Sequence, residues 1–320
     1  MKNIAESIRY RLKTQARSLG IAPDSVFSHW GMERFLNRFA HSPYRDRFAL
    51  KGALLFAAWH GDWRRSTTDI DLEGLDDSYV GRMSEVVGAV AALPSSEPDG
   101  MAFDASSVRS QPLVGDRIPG ARVVVTARLG ASTIHLKVDT GFGHPITPAP
   151  ETIEYPCMLA GFSAFALLGC PRETMLAEKL ATIVEFGRDN TRVRDYHDIT
   201  ALADRNRFDS KVLIRAARET FSRRDAGRFL TRTDGYWEAG LSSELARERF
   251  RRAWENRRRR MPRTHSGRQE MAAVMGRVKE FGMPLLKAVR DGEASIGRWD
   301  PEDGWIRRSS RAPEVQAPTT

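Results

Sequence analysis

Phe48-Ala49-Leu50-Lys51-Gly52-Ala53-Leu54-Leu55, followed downstream by Ser66-Thr67-Thr68-Asp69-Ile70-Asp71-Leu72, is the stretch on which the reading of this 320-residue chain turns. The first segment runs a short apolar strand into Gly52 and then into a helix start. Such a turn presents backbone N–H groups at the positive end of a helix, where a phosphate is favoured. The second reads as a strand over Thr68 to Leu72, and because side chains alternate faces, Asp69 and Asp71 project together while Ile70 and Leu72 enter the core. Two carboxylates held side by side repel unless a cation or a proton lies between them, and hard divalent ions favour oxygen ligands of this kind. An Asp-x-Asp pair also arises by chance in exposed strands, and a strand-to-helix turn is ordinary, so neither segment decides for function alone. Further on, His135-Leu136-Lys137-Val138-Asp139 alternates again and puts His135, Lys137 and Asp139 on one face. That face is either the source of a third carboxylate or the charged side of an antiparallel edge.

Outward from these segments the texture divides. Ile4, Ile8, Leu12 and Leu19 recur at helical spacing and predict a helix over Asn3 to Leu19, with a second starting at Asp24 after Pro23. Phe48–Leu50, Thr68–Leu72, Arg122–Arg128 and Thr133–Asp139 read as strands, and Leu54–His60 and Ser78–Leu93 as helices, with a loop over Pro94–Gly100. After Pro171 the alternation gives way to helical patterns over Glu173–Phe186, Arg194–Ala203, Lys211–Phe221, Ser242–Asn256 and Arg268–Val289. The expected organisation is N-terminal helices over 1–45, a core over 46–160, a helical domain over 161–308 and a disordered tail over 309–320.

In the helical half, Glu173-Thr174-Met175-Leu176-Ala177-Glu178-Lys179-Leu180 places Lys179 on a stripe with Met175, Thr182 and Phe186. A lysine there either lies along apolar surface or reaches into a cleft. Asp195 and Asp198 are three apart and share a helix face, with Tyr196, Ile199 and Ala203 on the packing side. Composition is globular, with 41% apolar and 28% charged residues, and no apolar run approaches the ~20 residues that cross a bilayer. Met1 to Gly20 is polar and amphipathic, unlike a signal peptide, and Cys157 and Cys170 form neither a disulfide framework nor a thiolate zinc set. These features predict a cytoplasmic protein without a membrane partner. The net charge is +9, and 42 of the 50 cations are arginine, which suits a polyanionic partner or reflects codon bias in a GC-rich genome. From Arg247 to Arg263 nine arginines meet two acids, with Phe250 and Trp254 at helical spacing. Arg257, Arg258, Arg259 and Arg260 are candidate RNA contacts, the alternative being a packed helix whose arginines are solvated.

Turn and helix, Asp-x-Asp, a third Asp on a later strand, then the Lys179 helix and Arg194-Asp195-Tyr196-His197-Asp198-Ile199: in that order the segments resemble the AbiEii/AbiGii family of nucleotidyltransferase toxins, of abortive-infection and other toxin–antitoxin systems. The resemblance implies an α/β (α+β) nucleotidyltransferase fold, with a mixed sheet and flanking helices followed by a mostly helical C-terminal domain. It implies Mg2+ or Mn2+ held by Asp69, Asp71 and Asp139, with Asp69, Asp71, Lys179 and Asp198 as catalytic residues. Lys51, Gly52, Thr68, Lys179 and Asp195 are then expected at the nucleoside triphosphate, assisted by Arg64 or Arg65. An RNA acceptor, transfer RNA, and a cognate antitoxin of winged-helix type are the implied partners, and antiphage defence a role. Alternatives are a protein acceptor such as the antitoxin, a two-metal nuclease, and an inactive binding module of the same fold. Many members carry two adjacent glycines in the first motif, whereas here Lys51 and Ala53 flank a single Gly52.

Overall fold

The computed structural model describes residues 4–113, 119–187, 190–227, 230, 244–259 and 270–307. The expected tail over 309–320 and Arg260 lie outside the described residues. The chain divides into two compact units, Met1–Pro171 with Asn256–Arg268, and Arg172–Glu255 with Gln269–Thr320.

The first unit opens with α1 (Ile4–Leu19) and α2 (Pro23–Ala40). Proline suits the first turn of α2 because its missing N–H would have no intrahelical acceptor there. The strands are β1 (Phe48–Lys51), β2 (Ile70–Gly74), β3 (Met101–Pro112), β4 (Gly120–Leu129), β5 (Ser132–Phe142), β6 (Glu151–Tyr155) and β7 (Phe165–Gly169). They form one mixed sheet in the order β3-β4-β5-β2-β1-β7-β6. β2 lies at its centre, antiparallel to β1 and parallel to β5. A one-turn 3-10 helix over Gly52–Leu54 leads from β1 into α3 (Leu55–His60), and α4 (Met83–Ala92) precedes β3.

Alternation decides which face is covered. Leu50, Ile70, Leu72, Val123, Val125, Leu136 and Val138 are buried, and a Cβ on Gly31 of α2 would lie 3.2 Å from both Ile134 and Leu136, which is how closely that helix sits on β5. Asp71, Glu73, Arg122, Lys137 and Asp139 occupy the intervening positions and so project from the opposite face. The expected helix over Ser78–Leu93 is shorter, because a 3-10 turn over Asp77–Tyr79 precedes α4. Three strands of this sheet, β3, β6 and β7, were not among those expected from the sequence. β6 and β7 nonetheless alternate, with Ile153, Tyr155, Phe165 and Leu167 buried and Glu154 and Ala166 exposed.

The second unit contains α5 (Arg172–Phe186), α6 (Val193–Ala203), α7 (Ser210–Arg223), most of α8 (Glu244–Arg259) and α9 (Met271–Asp291). Strand structure does not end at Pro171, contrary to the sequence expectation. β8 (Phe208–Asp209), β9 (Arg298–Asp300) and β10 (Gly304–Ile306) make a small antiparallel sheet. Strands of two or three residues are too short to show a period. Trp299 fixes that sheet to the helices, with its ring edge-on to Phe281 at 4.9 Å and its Nε1 donating to the Ala203 carbonyl at 2.8 Å. Among the described residues no helix is long and apolar enough to cross a membrane.

Candidate active site

Strand pairing assembles the acids. Asp71 on β2 stands in register with Lys51 on β1 and with Asp139 on β5. Asp69 sits in a bend just ahead of β2, so the strand begins two residues later than the sequence suggests. Its carboxylate is held there by the Thr67 hydroxyl, donating at 2.8 Å, and by the Thr68 backbone N–H at 3.2 Å. One oxygen from each of Asp69, Asp71 and Asp139 lies within 4.8 Å of the others, and all three residues are half-buried. Three hard oxygen donors so placed fit Mg2+ or Mn2+ rather than a thiophilic metal.

Gly52 explains why the carboxylates come this close to β1. Its φ is +73°, and a Cβ there would lie 2.0 Å from Asp71 Oδ2. The glycine is therefore required by the approach of a carboxylate as well as by the turn.

Two neighbours of the cluster were not singled out in the sequence. Arg122 on β4 pairs in register with Asp139 and grips it with both prongs of its fork, Nε to Oδ1 at 2.7 Å and Nη2 to Oδ2 at 2.5 Å. That hydrogen bonding, with the charges of Asp139, Asp69 and Asp71, holds the guanidinium pKa above its ordinary value against the effect of burial. Glu73 follows Asp71 by two residues on the same face and is only 1% exposed. It accepts from Lys51 Nζ at 3.0 Å and from the His144 backbone N–H at 2.8 Å, and pairs with His144 Nδ1 at 2.8 Å. Burial alone would raise its pKa, but the His144 bonds and the Lys51 charge prevail and lower it. The Asp-x-Asp-x-Glu run was visible in the sequence. Arg122 needed the β4–β5 register.

In the second unit, Lys179 on α5 sits between two aspartates of α6, 2.8 Å from Asp195 Oδ1 and 2.8 Å from Asp198 Oδ2. Arg192 adds a contact to Asp195 at 3.0 Å. The lysine thus neither lies along apolar surface nor points freely into a cleft, since two buried carboxylates fix its amine. Arg64 Nε turns to Asp62 at 3.3 Å, and Arg65 Nη1 to the Ser66 carbonyl at 2.9 Å. On α8, Phe250 and Trp254 are buried, with Phe250 edge-on to Tyr196 at 5.7 Å and Trp254 stacked on His197 at 4.6 Å. Arg251 and Arg252 are tied to Glu248. Arg257 is buried, whereas Arg258 and Arg259 are exposed.

Residues 34–274 match the profile of the nucleotidyl transferase AbiEii toxin family of type IV toxin–antitoxin systems. Among solved structures, MenT4, the nucleotidyltransferase toxin Rv2826c of Mycobacterium tuberculosis H37Rv, superposes with a TM-score of 0.55 at 18% identity, covering 90% of this chain and 93% of that one. At that identity the likeness is one of fold. JHP933 of Helicobacter pylori aligns over 85% of this chain and 94% of its own at 12% identity, with a TM-score of 0.44. No curated protein matches the sequence.

Proposed function

The chain belongs to the AbiEii nucleotidyltransferase toxin family of type IV toxin–antitoxin systems, and on that premise we propose that it transfers a nucleotide from a nucleoside triphosphate to an RNA acceptor, transfer RNA, in a reaction that depends on Mg2+ or Mn2+. The observation that carries this reading is the convergence of Asp69 and Asp71, neighbours at the start of β2, with Asp139 of the much later β5, to within 4.8 Å. In such a transfer an acceptor hydroxyl forms a bond to the α-phosphorus, the bond to pyrophosphate breaks, and the hydroxyl proton is released. A divalent ion supplies charge neutralisation of the triphosphate and a more acidic hydroxyl.

The protein's part is positioning and electrostatics. Asp69 and Asp71 would hold the ion, with Asp139 as the third ligand. Thr67 and the Thr68 amide keep Asp69 aimed, and Gly52 leaves room for Asp71. Lys51 is engaged by Glu73, which places its charge beside the acids and supports a role in attracting phosphate. Lys179, with Asp195 and Asp198 orienting its amine, is the proposed phosphate ligand of the second unit. The exposed Arg258 and Arg259 and the net charge of +9 support a polyanionic acceptor. A winged-helix antitoxin is the proposed partner, and antiphage defence in the cytoplasm the proposed setting.

The test is direct. Purified protein with Mg2+, transfer RNA and each labelled nucleoside triphosphate transfers label to RNA, and Asp71→Ala does not. Transfer undiminished in Asp71→Ala would reject the site. Label on protein alone would replace the RNA acceptor with a protein one.

A further inference from the structure

One cation already stands at the acidic cluster, and it is part of the chain. Arg122 takes both oxygens of Asp139 at 2.7 and 2.5 Å, in the bidentate geometry that makes arginine–carboxylate pairs strong. Each carboxylate oxygen keeps a second lone pair, so the grip does not remove Asp139 as a ligand. The same guanidinium interacts with Asp69 and Asp71. It is also 34% exposed, so its charge is open to an arriving polyanion. Arginine cannot shed its proton to make way for a metal. Three ionised carboxylates would carry three negative charges within one small volume, and Arg122 offsets one of them permanently.

We propose that Arg122 is the resident counter-charge of this site: it keeps the three acids assembled without a metal and weakens their hold on a divalent ion until a triphosphate brings further negative charge. The proposal rests on the nucleotidyl-transfer reading for the kind of ion involved and adds a residue and a function to it. A simple structural ion pair predicts the opposite sign, because losing a strut that holds Asp139 would loosen metal binding.

The experiment is a Mn2+ titration of the full chain without nucleotide, read from the electron paramagnetic resonance signal of free Mn2+. Wild type, Arg122→Gln, Arg122→Lys and a second neutral variant, Arg122→Met, are compared. A unit charge about 6 Å from a divalent ion changes its affinity about tenfold even at the dielectric of water. Arg122→Gln, or Arg122→Met should the first not fold, is expected to bind Mn2+ about tenfold more tightly than wild type. Arg122→Lys, which keeps the charge, is expected to stay near the wild-type affinity. Unchanged or weaker binding in the neutral variants overturns the proposal while leaving the metal-dependent reading in place. Wild type and neutral variants that all fail to bind Mn2+ overturn both.

Discussion

Replacing Gly52 with alanine isolates the contact on which the site geometry depends. Two effects follow from one added methyl. At φ +73° an L-residue with a Cβ is strained by about 1–2 kcal/mol. The methyl would also stand 2.0 Å from Asp71 Oδ2, where ordinary contact begins at 3.4 Å, so the carboxylate oxygen has to retreat by roughly 1.4 Å. A displacement of about 1 Å in a positioned group can lower a rate by about 10²-fold, so Gly52→Ala is expected to reduce transfer by that factor or more. Stability should fall by a smaller measure, about 2 kcal/mol or somewhat above once the displaced carboxylate is added to the backbone strain. The assay is label transfer at saturating nucleotide together with urea unfolding, in the wild-type and Asp71→Ala backgrounds. With Asp71 truncated to alanine the contacts to Oδ2 and Cγ are gone and only its Cβ, 2.9 Å from the added methyl, still has to give, so Gly52→Ala should then cost less than in the wild-type background. The reasoning fails if Gly52→Ala transfers within about twofold of wild type, or if it destabilises both backgrounds equally.

Lys179→Met leaves buried Asp195 and Asp198 without their shared amine and is expected to destabilise the chain by about 3–5 kcal/mol in urea unfolding. Arg192→Met removes a mostly exposed partner of Asp195 and should cost under about 1 kcal/mol; equal effects would refute the ranking. His29 is buried edge-on to Trp63, and burial lowers its pKa from 6.5 to about 4. The unfolded chain therefore binds the extra proton first, so stability complete above pH 6.5 is lost as pH falls towards 4, by about 3 kcal/mol. Glu33, raised by burial to about 7, has the opposite sign and destabilises progressively as pH rises from 4.5 to 7. Comparing wild type with His29→Gln across that window cancels Glu33, and an unchanged acid slope would contradict the assignment. Finally, Arg258→Gln with Arg259→Gln should weaken RNA binding across sequences and reduce the log–log salt slope by about 0.7 per lost phosphate contact. A slope that does not move would remove this part of α8 from the RNA surface.

What the sequence determined by itself was local. The period-two pattern of His135 to Asp139 put Lys137 and Asp139 on the face opposite Leu136 and Val138, because alternation is a property of an extended backbone whatever lies beside it. Helical spacing in the same way located α5 and α6 to within a residue, and with them the pairing of Asp195 and Asp198 on one face. Only the tertiary structure decided which strands are neighbours. Asp71 meets Asp139, and Arg122 meets Asp139, because β2, β5 and β4 lie side by side, and no local pattern records that choice. The engagement of Lys51 by Glu73 and of Lys179 by two aspartates follows for the same reason: a long side chain is free to choose among several partners until packing removes the alternatives. The types of residue at the site were thus written in the chain, while the charge balance among them arose from the order of the strands and the packing of the helices.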